Sequence, residues 1–397
     1  MKTLIQLTLL TVIGLGFGLG FIEGALRVFH LTAPLQYEPN RWYGWGHTPN
    51  AVMWRNQDDG KVEVKINSRG LRDIDYQYEK ADGTYRIMVL GDSFAEAMQV
   101  SLENSFPKLI EAALTSKQAL QSSRIEVINT GTSGYGTDNE LLFFRTEGSK
   151  YKPDLVLLEF CICNDVRNNW FELENVDAGG FRKPYFVPGQ DGLVLKNYPF
   201  ERETDAFTPI KSWLNRHVRL YPFLREARDR FMSASSGTAS GIPLDYRVYL
   251  KDYPESWETA WRVTGGLLRE IKKEVTAHGA GLFVVIVPTR FQVRSEDWQQ
   301  VLETYSDMKN HEWDIEKPNR LLRQILEQEE IAYVDLLPSF RQYAKQSGAQ
   351  LYLASDGHWN QEGHRLASDI LTEELIHQPM LTGKSSQRIC QTYPEVR

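Results

Sequence analysis

The chain has 397 residues, 42% hydrophobic and 24% charged, which is close to ordinary globular usage and long enough for one large domain with insertions or two modest ones. A formal net charge of −7 and a pI of about 5.7 argue against a nucleic-acid partner, because phosphate binding needs clustered Lys and Arg. Three cysteines, Cys161, Cys163 and Cys390, are too few and odd in number for a disulfide framework, and no Cys/His spacing resembles a zinc site, so no metal and no organic cofactor is implied.

Residues 4–22 carry no charge; Lys2 precedes them and Glu23 and Arg27 follow. About 20 apolar residues can cross a bilayer core as a helix. A cleaved signal peptide is the rival reading, but no clean small-x-small site follows Ile22. A buried helix of the globular domain is the plainer one. The expectation is an uncleaved signal anchor over residues 1–30, amino terminus inside and the bulk of the chain outside the cytoplasm. Gly14, Gly16, Gly18 and Gly20 match helix-pairing spacing but fit the general glycine content of membrane helices equally well.

Residues 31–84 are rich in Pro, Asn, Trp and Tyr, and KVEVKINS (61–68) alternates like a half-exposed strand, so a small β-rich extension is expected there. From residue 85 the rhythm changes. RIMVL (86–90), IEVIN (125–129), DLVLLEFCI (154–162), LFVVIV (282–287) and IAYVDLL (331–337) are short apolar runs separated by helical stretches near 93–115, 139–148, 257–278 and 318–329. That alternation predicts an α/β fold with a doubly wound, mainly parallel five-stranded sheet, flavodoxin-like in class. The third run is taken as apolar throughout and covered on both faces, with Cys161 and Cys163 on one side of it as small core residues. A Pro- and Gly-rich insertion occupies about 166–254, and SASSGTASG (233–241) reads as a loop within it. Residues 378–397 form a tail.

In such sheets ligands bind beyond the carboxyl ends of the strands, so the polar residues there are the site candidates. Gly91-Asp92-Ser93 follows the first run, where a tight turn can present a hydroxyl; alone it is also an ordinary helix cap. Asn129 to Gly136 (NTGTSGYG) follows the second, with glycines that let backbone N–H groups approach a ligand. Asn164-Asp165 follows the third; the amide is either an oxyanion donor or an Asx cap. SDGHWN (355–360) precedes the final helix, where Asp356 can orient the His358 imidazole to take a proton from Ser93. His364 reads as a solvated or capping residue. Trp359 could stack on a sugar or pack beneath the loop, and Arg167, Asn168 and Asn169 either line the cleft or form a polar loop.

The order of these residues resembles the SGNH (GDSL) hydrolase superfamily over roughly residues 85–377. The resemblance implies Ser93 as nucleophile, Asp356 and His358 as the rest of a triad, and an oxyanion hole from Ser93, Gly134 and Asn164. Two positions depart from the usual pattern: Ile162 stands where a glycine is common, and Asp356 and His358 are two apart rather than three. The closer spacing, with the following Trp359, resembles membrane-anchored members, including SGNH-like proteins of exopolysaccharide O-acetylation, as does INSRGLRD (66–73). The implied activity is serine-dependent hydrolysis of acyl, above all acetyl, esters. The alternatives are O-acetyl transfer to a cell-envelope polysaccharide, and an inactive SGNH-like protein that binds carbohydrate. The implied partners are an acyl-ester or acetylated carbohydrate substrate and, through the amino-terminal helix, the membrane; nothing points to a protein partner.

Overall fold

The computed structural model describes residues 2–29, 37–57, 60–117, 124–176, 183–201, 207–235, 242–354 and 356–378. The uncharged run forms most of helix α1 (Lys2–Val28). Its 24-residue segment Ile5–Val28 is long and apolar enough to cross a membrane, and none of its most apolar stretch is buried against the rest of the protein. At 1.5 Å per residue such a segment reaches roughly 36 Å, enough for a hydrocarbon core of about 30 Å.

Two antiparallel pairs follow: β1 (Tyr37–Asn40) with β2 (Gly44–His47), and β3 (Val52–Gln57) with β4 (Gly60–Lys65). The alternating KVEVK segment is β4, which buries Val64 while Lys61, Glu63 and Lys65 face solvent. Met53, Val64 and Ile66 pack on Met98, just past the first strand–helix turn of the main domain.

The main domain begins with β5 (Thr84–Leu90), the short α2 (Ser93–Glu96), α3 (Phe106–Ser116), β6 (Arg124–Asn129), α4 (Thr137–Thr146) and β7 (Leu155–Cys161). The helix expected over 93–115 is thus two helices. Ala97 closes α2 in the left-handed region (φ 54°), and a 3₁₀ turn at Leu102–Asn104 redirects the chain. The insertion is more ordered than its composition suggested. It holds α5 (Asp165–Asn168), α6 (Phe171–Val176), the hairpin of β8 (Tyr185–Gly189) and β9 (Gly192–Lys196), α7 (Thr208–His217) and α8 (Leu220–Ser235). Only the first residues of the expected 233–241 loop are described, and they continue α8. Then come α9 (Glu255–Ala277), β10 (Gly281–Val287), α10 (Arg290–Val293), α11 (Ser295–Thr304), α12 (Lys317–Gln328), β11 (Ala332–Asp335), α13 (Leu337–Ser347) and α14 (Gln361–His377). Residues 379–397, with Cys390, lie outside the described residues.

The five central strands are all parallel, in the order β6-β5-β7-β10-β11. Strand residues alternate between faces, which splits the apolar runs into two cores. Met88, Leu90, Val156, Leu158, Val284 and Ile286 face one side, with buried residues of α4, α9 and α12. Ile87, Val89, Leu155, Leu157, Phe283 and Val285 face the other, with α3, α13 and α14. Helix α9 shows why such segments are helical: Trp257, Ala260, Trp261, Thr264, Leu267, Leu268 and Ile271 recur at three- and four-residue spacing and are buried. Glu255 and Glu258 favour its first turn, and Gly279 at φ 79° ends it. The chain winds from β5 to β6 on one side and continues to β7 on the other. The gap between the ends of β5 and β7 is therefore the topological switch point, where a crevice opens in sheets of this kind.

Candidate active site

Ser93 lies at the end of β5 and Asn164 at the end of β7, on the two sides of that switch point. Leu90 ends β5, Gly91 turns, and Asp92 caps α2 by accepting the Phe94 N–H at 2.8 Å, which sets Ser93 as the first helical residue. Glycine is needed at 91 because of crowding: a Cβ there would sit 2.5 Å from Glu159 Oε2 and 2.8 Å from Ala95 Cβ. Gly131 has the same reason, since its Cβ would fall 2.3 Å from the Glu96 nitrogen. The loop after β6 is thereby pressed onto α2. Gly134 instead adopts φ 78°, which glycine tolerates freely.

The His358 Nε2 is 2.7 Å from Ser93 Oγ. On the other side of the ring, Nδ1 is 3.4 Å from Asp356 Oδ2, an ion-pair contact longer than a good hydrogen bond. The tighter link is from the His358 backbone N–H to Asp356 Oδ1 at 3.0 Å, so the two-residue spacing lets Asp356 close its own turn as well as face the ring. Gln99 donates to Asp356 Oδ2 at 3.2 Å. Burial opposes the charge on Asp356, but the His358 side chain and backbone N–H outweigh it and hold the carboxyl down at about 2. Burial also opposes a charged His358, and Asp356, with Asp92 and Glu96 behind it, reverses the balance, so the imidazole pKa lies above its ordinary value.

Asn164 stands before α5 and makes no side-chain cap hydrogen bond, which removes the Asx-cap reading. Its Oδ1 lies 2.7 Å from Cys163 Sγ, a packing contact and not a hydrogen bond, because that sulfur carries no proton. The cysteines depart from expectation: Cys161 and Cys163 are joined as a disulfide with Cα atoms 5.2 Å apart. Strand β7 ends at Cys161 and the chain turns at once, so Cys163 is not held in extended spacing and the pair meets the distance a disulfide requires. Asp92 brings a carboxylate oxygen within 4.8 Å of both sulfurs, but sulfurs bonded to each other offer no thiolate to a cation.

Several other expectations are settled by burial. Trp359 is fully buried against Phe94, Phe106 and Phe340, so it underpins the loop and does not stack on a sugar. His364, expected in solvent, is buried and stacked on Phe106, and burial pushes its pKa down to about 3, leaving it neutral. It lies on the inner face of α14, one turn in from the helix start at Gln361. Asn168 and Asn169 are buried clamps. Asn168 donates to the Gly134 carbonyl at 2.6 Å, and Asn169 accepts from Asp138 and donates to Thr264. Arg167 pairs with Asp245 of the insertion.

Five residues around the site went unrecognised in the sequence. Glu159 is a charged residue inside the run taken as apolar throughout; it is fully buried and accepts the Asp92 N–H at 3.0 Å, bracing the turn before Ser93. Burial, reinforced by Asp92 and Asp165, pushes its pKa well above the ordinary carboxylate value. A lone acid in a strand covered on both faces was the available signal. Glu96 accepts from Tyr37 and His47, each at 2.6 Å, and from the Ser133 N–H at 3.2 Å, tying β1, β2 and the glycine loop to α2. Arg72 donates to the carbonyls of Glu96, Ala97 and Val100, and Asp73 accepts the Asn129 N–H at 2.7 Å. INSRGLRD thus braces the turns after β5 and β6 from outside the sheet. Lys183, buried in the insertion, donates to Asp138, Asn139 and the Asn168 carbonyl and staples the insertion to α4 and α5.

The chain is thus a doubly wound α/β sheet with a serine and a histidine in contact at its switch point. Residues 253–395 match the family described as the SGNH hydrolase-like domain of the acetyltransferase AlgX. That segment carries β10, β11, Asp356 and His358. No curated protein matches the chain. Similar solved structures include an α/β hydrolase, LAE5, from the metagenome of Lake Arreo in Spain (12% identity, 76% of this chain and 100% of that one, TM-score 0.39). An acetyl xylan esterase, AlAXEase, is similar at 13% identity over 73% of this chain and 99% of that one, with a TM-score of 0.38. A catalytic mutant of the acetylxylan esterase Axe2 from Geobacillus stearothermophilus is similar at 14% identity over 77% and 99%, with a TM-score of 0.38.

Proposed function

We propose that this protein is a membrane-anchored, serine-dependent enzyme acting on acetyl esters of carbohydrate outside the cytoplasm. The observation that carries the reading is the 2.7 Å contact between His358 Nε2 and Ser93 Oγ at the switch point of the sheet. In the reaction, Ser93 Oγ attacks the ester carbonyl as its proton passes to His358 Nε2, and Asp356 stabilises the resulting imidazolium. The oxyanion is held by the N–H groups of Ser93 and Gly134 and by the Asn164 amide. The C–O bond then breaks, His358 protonates the departing alcohol, and acetyl-Ser93 remains. A hydroxyl activated by His358 attacks that ester and restores the serine. With water as acceptor the enzyme is a hydrolase.

The match of residues 253–395 to a domain described as an acetyltransferase favours a second reading, in which a polysaccharide hydroxyl is the acceptor. The two share every step up to acetyl-Ser93. Incubating the purified protein with an acetyl donor, with and without glycan, separates them: acetyl on glycan supports transfer, and acetate alone supports hydrolysis. A fluorophosphonate probe that fails to label Ser93 in folded protein would instead mark a carbohydrate-binding protein without ester chemistry. The extracytoplasmic location is read from α1 as an uncleaved anchor with Lys2 and the amino terminus on its cytoplasmic side, and is tested by protease accessibility of the sheet domain in intact cells.

A further inference from the structure

The insertion between β7 and α9 exposes an apolar face next to α1. Phe207, at the cap of α7, and Ile210 and Trp213 within it recur every third residue and are 64%, 57% and 57% exposed. Leu224 of α8 is 57% exposed. A run of large exposed apolar side chains on adjoining helices is more than scattered surface hydrophobicity and calls for an occupant.

Three hydrogen bonds indicate which. Glu23 of α1 accepts the Arg219 N–H at 2.9 Å and the Leu220 N–H at 2.8 Å, and Arg27 donates to the His217 carbonyl at 2.5 Å. The turn between α7 and α8 is therefore fixed to α1 directly after its uncharged run ends at Ile22, and a helical turn advances only about 5.4 Å. If α1 spans the bilayer, this turn lies at headgroup depth. The charge of the segment agrees. Residues 207–235 carry Lys211, Arg216, Arg219, Arg225, Arg228 and Arg230 against only Glu226 and Asp229, in a chain whose net charge is −7. Apolar residues with an aromatic ring on one face and a local excess of Arg and Lys are what a helix lying on an anionic bilayer surface requires.

We propose that α7 and α8 lie on the bilayer surface, with Phe207, Ile210, Trp213 and Leu224 at the acyl boundary and the exposed Lys211, Arg225 and Arg228 among anionic headgroups. The inference rests on reading α1 as a membrane span, and it gives the insertion a role. Lys183 and Asn168 tie the same insertion to α4 and to the Gly134 loop, so a second membrane contact fixes the orientation of the Ser93 site relative to the membrane plane.

The test uses the full chain reconstituted in phosphatidylcholine vesicles containing phosphatidylglycerol, with and without brominated acyl chains. Wild-type emission minus that of Trp213→Phe isolates the Trp213 signal. Brominated lipid is expected to lower that signal about twofold or more, because the ring sits within reach of the acyl boundary, and aqueous iodide to leave it nearly unchanged. A protein that floats with the vesicles while Trp213 stays unquenched by bromine and open to iodide overturns the surface contact and leaves the anchor standing. Protection from both quenchers assigns the face to a second copy of the chain or another protein, which also overturns it. A protein that fails to float overturns the anchor and this inference together.

Discussion

Ser93 and His358 are 265 residues apart in sequence and 2.7 Å apart in space, and their chemistry follows from the groups around them. Asn164, at the end of β7, packs its Oδ1 against the Cys163 sulfur and is not used as a helix cap. Loss of one oxyanion donor costs about 2.7–4 kcal/mol of transition-state stabilisation, so Asn164→Ala is expected to lower kcat roughly a hundredfold or more while Ser93→Ala abolishes turnover, both measured on an acetyl ester. The pH dependence has a definite sign. His358 must be neutral to act as a base, and Asp356 raises its pKa above the ordinary value of 6.5. kcat/KM should therefore rise with pH through a midpoint above that value, and Asp356→Asn should move the midpoint down and lower the plateau. An unchanged midpoint in that variant would show that Asp356 does not govern the ring.

At the scale of elements, the turns on either side of the switch point are held by groups from other parts of the chain. Gly131 lies against the backbone of α2, and Arg72 satisfies three carbonyls where α2 unwinds at the left-handed Ala97. Gly131→Ala should destabilise the fold by about 1–3 kcal/mol through overpacking, read as a lower Tm, and should slow fluorophosphonate labelling of Ser93 even below the unfolding transition. Arg72→Met leaves buried carbonyls without a donor, at about 1–3 kcal/mol for each one that water cannot reach, and should act in the same direction. These dependencies explain what was legible in the sequence. The five strands could be read because apolar runs of β-branched and large aliphatic residues bounded by Gly, Asp and Asn are local patterns, and the strand ends gave the order Ser93, Gly134, Asn164, His358. Glu159 was lost inside such a run, because an apolar average hides one acid. Arg72, Glu96 and Gln99 were missed because their partners are distant in sequence and no periodicity marks them. Cys161 and Cys163 were placed together on the strand as core residues, but the strand ends at Cys161, and the turn that follows lets the two sulfurs meet. The burial of His364 depended on which face of α14 meets Phe106, which one helix alone does not fix.

For the whole molecule, α1 is tied to the turn between α7 and α8, where Glu23 accepts the Arg219 and Leu220 N–H groups and Arg27 donates to the His217 carbonyl, so α1 is held in a fixed orientation to the insertion. Replacing Glu23 by Ala should leave the protein in the membrane fraction while loosening the amino-terminal turn of α8, seen as faster amide exchange at Arg219 and Leu220. The central claim is that Ser93 carries the acyl group between donor and acceptor. Mass spectrometry of the intact protein, quenched during turnover with an acetyl donor, tests it most directly. The account predicts an acetyl adduct on the peptide containing Ser93 that disappears in Ser93→Ala and is chased by water or glycan. Turnover of the donor by protein that never carries acetyl on Ser93, and that survives the Ser93→Ala substitution, would contradict it.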